Sequence, residues 1–451
     1  MTPPKPLPRA DRVPLWRHLR AFRADILSAQ PARLYRAWMA EFRAPWLRSY
    51  LCNDPALVDL VLKGRPGDFP KSDRVREGLA PLLGRSVFVT NGADWQRQRR
   101  IIDPAFEGGR LRDSYPAMLA AARGARDRLA ARAGGVVEVE AEASHAAADV
   151  IFRALFSIPI EDTVAAAVFA QFRAFQRSQP LLNLGAFLAL PRWLPRLHRR
   201  GALASARAIR ALVGGLVATR MAAIAAGSAP DDLATKIMTT PDPETGVCFG
   251  PDEMVDQVAI FFLAGHETSA SALAWALYLL AADPAAQARA AAEARALGAD
   301  PGFGDLGRIG FIRDCFREAL RLYPPVPMMV RQTLRPEQFR GRDVAPGAQV
   351  VISPWHLHRH ERLWAAPDDF DPDRWQGVAA RASARRAYLP FSAGPRVCPG
   401  AGFAMIEGPL ILAILLRDLE FAPEPGQAPV PVAHLTVRAR DGIHLRVMAR
   451  G

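Results

Sequence analysis

The sequence predicts a mainly α-helical protein with small β-sheets, and three features carry that prediction. Residues 252–283 form one run that is apolar nearly all round, the pattern of a helix through an interior, about 45–50 Å long. Asp-Pro pairs at 54–55 and 283–284 open helical periods, with Asp as cap and Pro in the first turn. Strand-like segments are short and sit around turn signals at Pro346-Gly347 and Asp441-Gly442.

Taken in order, residues 1–12 are rich in Pro and charge and are expected to form a flexible arm, with 13–451 a single domain. Helical spacing runs from Leu15 to Met39, followed by the strand-like WLRSYLCN and a helix opened by Asp54-Pro55. Gly, Pro and charge between Gly64 and Leu83 signal a loop. From 111 to 240 the chain is Ala- and Arg-rich, with helical periods broken near Gly134-Gly135, Pro159, Pro180 and Pro191. Beyond the long apolar run, an Ala-rich helix extends to Leu297, and DLGRIGFIRDCFREALRLYPP reads as a core-facing helix stopped by two prolines. RDVAPGAQVVIS and LTVRARDGIHLRV read as hairpins, and AGFAMIEGPLILAILLRDL as a helix starting just past Cys398.

With 451 residues, half of them hydrophobic, a large core is easily supplied. Cys52, Cys248, Cys315 and Cys398 are far apart and form no CxxC pair, which argues against a disulfide framework or zinc cluster. The N-terminus lacks a signal-peptide core, so a soluble, cytoplasmic protein is expected. Apolar stretches around 258–264, 272–282 and 409–416 are too short or interrupted to demand a bilayer; the expectation is a monomer without a transmembrane anchor. The net charge of +13 is spread along the chain without a nucleic-acid motif. It fits an acidic protein partner better than nucleic acid.

The chemistry concentrates in two places. Cys398 lies in FSAGPRVCPG, ahead of a helix whose dipole and free N–H groups favour a thiolate, a soft anionic ligand. Gly394 permits a sharp turn there, Gly400 lets a flat ligand approach, Phe391 packs beside it, and Arg396 reaches an anionic group at its edge. A buried free cysteine ahead of a core helix is the plainer alternative. The second place is AGHETS, which interrupts the long apolar run, and buried polar groups need a reason. His266-Glu267 begins like H-E-x-x-H, but the fifth position is Ala270, so that zinc site is absent. A threonine there can also simply bond a carbonyl one turn back. Trp95 and Arg99 share a helical face, as do Glu318 and Arg321, and neither pair decides anything alone.

F-x-x-G-x-R-x-C-x-G, matched at Phe391, Gly394, Arg396, Cys398 and Gly400, resembles the haem-binding loop of the cytochrome P-450 family, the haem-thiolate monooxygenases. The resemblance covers roughly residues 50–450 and implies the cytochrome P-450 fold. Haem b, iron protoporphyrin IX, would then lie between the long central helix and the cysteine-loop helix, with Cys398 as axial iron ligand. Ala264, Gly265, Glu267 and Thr268 match the family's oxygen-activation motif A-G-x-E/D-T. The small residues would let the helix pass close to the haem, Thr268 would hold dioxygen and water, and Glu267 would relay protons. By the same resemblance Trp95, Arg99, Arg331 and Arg396 serve the haem propionates, and Glu318, Arg321 and Arg374 form a structural cluster. Phe69, Leu82, Leu83, Phe88, Phe261, Val326, Met328 and Met329 are expected at the substrate pocket. His358 either reaches the haem edge or is a satisfied loop histidine. The stretch FAQFRAFQRSQPLLNLGAFLALPRWL resembles the mobile helix pair over the access channel, and reads equally as ordinary amphipathic helices.

The implied activity inserts one oxygen atom from dioxygen into a hydrophobic substrate, a fatty acid, terpenoid or similar lipid. No flavin or nicotinamide domain is recognised, so electrons are expected from an acidic ferredoxin or flavodoxin with its reductase. Arg97, Arg100, Arg385 and Arg386 would receive it. A peroxide-driven hydroxylase or a non-catalytic haem-binding protein stays open as the alternative.

Overall fold

The computed structural model describes residues 1–44, 47–107, 109–178, 200–433 and 435–451. At its centre runs the helix Pro251–Ala282, 32 residues long. Pro251 fills its first turn, and the Glu253 carboxylate closes back on the Gly250 N–H at 3.0 Å. Because this central helix is apolar on every face, it is surrounded. Helices Val139–Phe156, Arg200–Ala225, Gly310–Leu322 and Ala401–Asp418 pack against it. Phe262 meets Phe152 with ring centroids 4.4 Å apart, and Trp275 stacks on Tyr323 at 3.8 Å.

The expected helix caps form. The Asp54 and Asp283 carboxylates accept from the N–H groups of Ala56 and Ala286, each at 3.0 Å. The first helix, however, is only Leu15–Ala24 and does not reach Met39. Buried Asp25 ends it by accepting from the N–H groups of Leu27 (3.0 Å), Ser28 (2.8 Å) and Ala433 (2.8 Å).

The strands are β1 (Met39–Ala44), β2 (Leu47–Cys52), β3 (Val136–Glu138), β4 (Met329–Gln332), β5 (Glu337–Phe339), β6 (Arg342–Val344), β7 (Gln349–Ile352), β8 (Leu419–Pro423), β9 (Pro431–Ala433), β10 (Val437–Ala439) and β11 (His444–Ala449). They form sheets ordered β1-β2-β7-β4, β3-β11-β8, β5-β6 and β9-β10. Both predicted hairpins fail in the same way. Gly347 (φ 81°) and Gly442 (φ 78°) do turn the chain, but the flanking strands part into different sheets. Turn residues fix a reversal, whereas burial of Gln349, Val350 and Ile352 between β2 and β4 fixes the partner.

Residues 1–12, expected as a flexible arm, are seated on the body. Met1 O accepts from Phe370 N at 2.8 Å, Pro4 O accepts from the Tyr323 hydroxyl at 2.6 Å, and Thr2 and Lys5 meet Asp369 and Asp368. Of the proposed helix pair over the channel, Thr163–Ser178 is helical and 179–199 lie outside the described residues. The helix Arg200–Ala225 is apolar and long enough to cross a bilayer, yet it packs on the central helix, where Arg210 bonds Asp256 at 2.7 Å.

Candidate functional site

The loop before Cys398 is shaped by backbone constraints. Gly394 has φ +69°, and a Cβ there would collide with the Leu62 carbonyl, so only glycine fits. Cys398 N donates to Phe391 O at 2.9 Å, which closes the loop and brings the sulfur to the start of the helix Ala401–Asp418. At Gly400 a Cβ would meet only Cys398 Sγ, 3.9 Å away, leaving room on the open side.

That open side is a cavity of about 1320 Å³. Ordinary small-molecule pockets hold roughly 300–1,000 Å³, so this one has space for a large flat group and a second molecule. Phe391, Cys398, Gly400 and Phe403 line it from the cysteine loop, and Ala264, Gly265, Glu267 and Thr268 from the central helix. Ala264 is exposed to it, and Thr268 Oγ1 donates to Ala264 O at 2.5 Å. The back-bond leaves the hydroxyl's lone pairs free.

Gly265 has a second job besides lining the cavity. A Cβ on it would lie 2.5 Å from Ile151 Cδ1, so its smallness admits the neighbouring helix Val139–Phe156. Glu267 is buried, and its Oε1 accepts from Thr436 Oγ1 (2.6 Å) and Arg438 Nη2 (2.7 Å). His266 bonds Ser144 at 2.6 Å, and burial pushes its pKa down to about 3. It is a neutral core histidine.

At one edge of the cavity four cations gather: Lys71, Arg99, Arg331 and Arg396. Arg99 is spoken for by Asp103 (2.8 Å) and Val397 O (2.7 Å). Among the described residues no carboxylate pairs with Lys71, Arg331 or Arg396. Arg396 lies 4.2 Å from the Trp95 ring and donates through Nη2 to Asn91 Oδ1 (2.8 Å), while its buried Nη1 has no partner. Burial and the neighbouring Arg331 lower the Arg396 pKa to about 9, and burial lowers Arg331 to about 10. Lys71 falls well below its ordinary value through burial and the two arginines. Its Nζ sits 3.5 Å over the Phe88 ring, so Phe88 supports a cation as well as lining the cavity. This unbalanced positive charge asks for an anion, and a group with two carboxylates answers it.

The start of the helix acts on Cys398 in the expected direction, but not alone. In the protein alone burial pushes its thiol pKa up, and the Gly400 N–H, Arg99 and Lys71 only oppose that rise. A coordinating metal would deprotonate that thiol outright.

Glu318, Arg321 and Arg374 meet in the core. Arg321 donates to Glu318 Oε2 (2.9 Å) and Oε1 (2.7 Å), and Arg374 Nε to Oε1 (2.9 Å). Both arginines also hold the carbonyls of 365–369. His358 is a satisfied loop histidine: its Nε2 accepts from Leu389 N at 2.8 Å and it does not line the cavity. Phe261, Val326, Met328 and Met329 do line it, whereas Phe69, Leu82 and Leu83 are core residues elsewhere. Of the basic residues expected to meet a partner, Arg97 is tied to Glu253 (2.6 Å) and Arg100 to Asp242 (2.6 Å). Arg385 and Arg386 are exposed and form no ion pair among the described residues.

Haem b fits this set: an apolar slot, a facing sulfur, and buried unpaired cations where its propionates would lie. The Cytochrome P450 family profile matches residues 39–446. The chain belongs to the cytochrome P450 family. It is similar to cyclooctatin synthase of Streptomyces melanosporofaciens, 33% identical over 399 residues, covering 86% of this chain and 84% of that protein. Cyclooctat-9-en-7-ol 5-monooxygenase of the same organism is also 33% identical, over 86% and 83%. Human cytochrome P450 4A11 is 30% identical over 87% and 78%. The cytochrome P450DA heme domain superposes with a TM-score of 0.83 at 26% identity, over 99% of this chain and 98% of that one. As a cytochrome P450 the protein is a haem-thiolate monooxygenase; the family and fold bind haem b through a cysteine and draw electrons from a redox partner.

Several site residues escaped the sequence. Lys71 carries no motif, and nothing ties Thr436 and Arg438 to Glu267 across 169 and 171 positions. Glu407 left a signal: one acid inside AMIEGPLILAILL is as anomalous as AGHETS. It is buried, accepts from Ser269 Oγ at 2.8 Å, and is pushed up to about 8 by burial.

Proposed function

We propose that Cys398 would hold the iron of haem b and that Ala264, Glu267 and Thr268, lining the same cavity, would serve its oxygen chemistry. What carries the reading is one cavity with the sulfur on one wall and this helical turn on the other. When bound, the haem supplies dioxygen activation, with the thiolate donating electron density to iron. Arg331, Arg396 and Lys71 would hold the propionates by charge-assisted bonds, with Trp95 backing Arg396. Thr268 Oγ1 would orient oxygen and water, while Ala264 keeps that wall low. Thr436 and Arg438 fix Glu267 through Oε1, leaving Oε2 to pass protons toward Thr268. Glu318 with its two arginines anchors the segment leading into the cysteine loop.

The substrate is a hydrophobic molecule, a terpenoid, fatty acid or similar lipid. Phe261, Val326, Met328 and Met329 supply apolar walls, and one relative is named for a reaction on cyclooctat-9-en-7-ol. We assign the electron donor as an acidic ferredoxin or flavodoxin docking near Arg385 and Arg386, to a monomeric, cytoplasmic enzyme. Four free cysteines suit a reducing compartment.

The test is a screen for lipids that shift the Soret band of the haem-loaded protein, followed by product analysis with reduced ferredoxin and, separately, peroxide. Product with ferredoxin, falling as salt is added, supports the reading. Product with peroxide alone would redirect it. Cys398→Ser should change the spectrum of the carbon-monoxide adduct, and an unchanged spectrum rules out Cys398 as ligand. Glu267→Gln should lower turnover about 100-fold, the lower end of general-acid contributions, with the Soret band intact.

A further inference from the structure

We propose that the first helix, Leu15–Ala24, docks this enzyme on an anionic bilayer surface. Its two faces differ sharply. His18, Leu19 and Phe22 line the cavity, whereas the outer face carries Trp16, 60% exposed, with Arg20 and Arg23 four and seven residues further on. Arg17 lies beside them, its guanidinium 5.2 Å from the Trp16 ring, and Arg12 precedes the helix. None of Arg12, Arg17, Arg20 and Arg23 forms an ion pair or hydrogen bond among the described residues.

Elsewhere exposed and half-buried arginines are mostly engaged, as Arg97, Arg100, Arg110, Arg123, Arg126 and Arg132 are. Here the nearby acids are already taken: Asp11 faces Arg33 at 3.7 Å and Asp25 is buried in its turn. Four uncompensated positive charges around an exposed indole, with Leu7 88% exposed on the preceding segment, match an interfacial helix. An acidic protein would use the arginines but not the tryptophan. Arg23 is both exposed and part of the cavity lining, so the cavity reaches the surface at this helix. A bilayer seated there would hold an apolar substrate at the opening.

The experiment takes the haem-loaded full chain and floats it with phosphatidylcholine vesicles, alone or containing about a third phosphatidylglycerol. Binding to the mixed vesicles only is expected. Each basic side chain at such a surface contributes about a fivefold factor, so R20A/R23A should weaken partitioning about 25-fold. W16A should remove the binding that survives high salt, where the charges are screened. The control R308A/R335A removes the same charge from other exposed arginines and should bind like the parent. All variants must keep the parent's Soret band and melting temperature. Failure of the parent to bind mixed vesicles overturns the proposal, and so does an equal loss in the control. Arg20- and Arg23-dependent retention on immobilised polyglutamate, without vesicle binding, would assign the face to an acidic protein instead.

Discussion

Arg321 and Arg331 are ten positions apart in the chain, both buried, and in opposite electrostatic situations. Arg321 uses all five of its N–H groups, on both Glu318 oxygens and on the carbonyls of His358, Pro367 and Asp369. Among the described residues Arg331 has one long side-chain contact, 3.4 Å to its neighbour's carbonyl, and it faces the cavity beside two other cations without a carboxylate partner. A buried charge whose partners are all internal is scaffold. One whose partners are missing marks where a ligand belongs.

The comparison breaks first, and hardest, at Glu318. Glu318→Ala strands Arg321 and Arg374 as unpaired buried charges, and losing one partner of such a pair costs about 3–5 kcal/mol. The expected result is little or no haem-loaded protein, with a correspondingly lower unfolding midpoint in whatever is recovered. Parent-like stability would show that the carbonyls alone hold the arginines.

Arg331→Met should act with the opposite sign on the apoprotein. Removing an unpaired buried charge leaves the empty fold as stable or more so. Haem retention should nevertheless fall, because bonds to charged groups contribute about 1.5–3 kcal/mol, tenfold or more in affinity. Rates of haem transfer to excess apomyoglobin, set against urea unfolding of the apoprotein, separate the two effects. If both quantities fall together, Arg331 is scaffold like Arg321 and the contrast dissolves.

How far the chain could be read in advance follows the same division. Local signals were legible: caps at Asp54 and Asp283, the turn at Gly394, the apolar run of the central helix. The E-x-x-R pair was legible too, but only because its third member, Arg374, sits in a recognisable segment. Partnerships made across the fold left no trace. Arg438 reaches Glu267 from a strand that seemed to form a hairpin with its successor, and Lys71 reads as one more solvated lysine. Gly265 was understood by type but not by neighbour, since only the packed helices reveal that Ile151 requires it.

A third buried carboxyl sharpens the rule at its weakest point. Among the described residues Glu407 has no cation, Ser269 is its one partner and its Oε1 is unpaired, and burial pushes its pKa up to about 8. Between its ordinary value near 4.5 and about 8 the folded protein keeps a proton that the unfolded chain has released. Stability contributed by this group is therefore complete below that window and is lost as pH rises through it. Glu407→Gln, which cannot ionise, should flatten the fall in stability from pH 5 to 8 by at most about 1.4 kcal/mol per pH unit. Urea unfolding of the haem-loaded parent and variant across that range reads the difference directly. Glu140, pushed up to about 7 by burial, with Arg438 opposing the rise and Glu138 and Glu267 adding to it, titrates in the same window. If the slope survives in Glu407→Gln but disappears in Glu140→Gln, the retained proton belongs to the Arg438 side of the cavity and not to the cysteine helix.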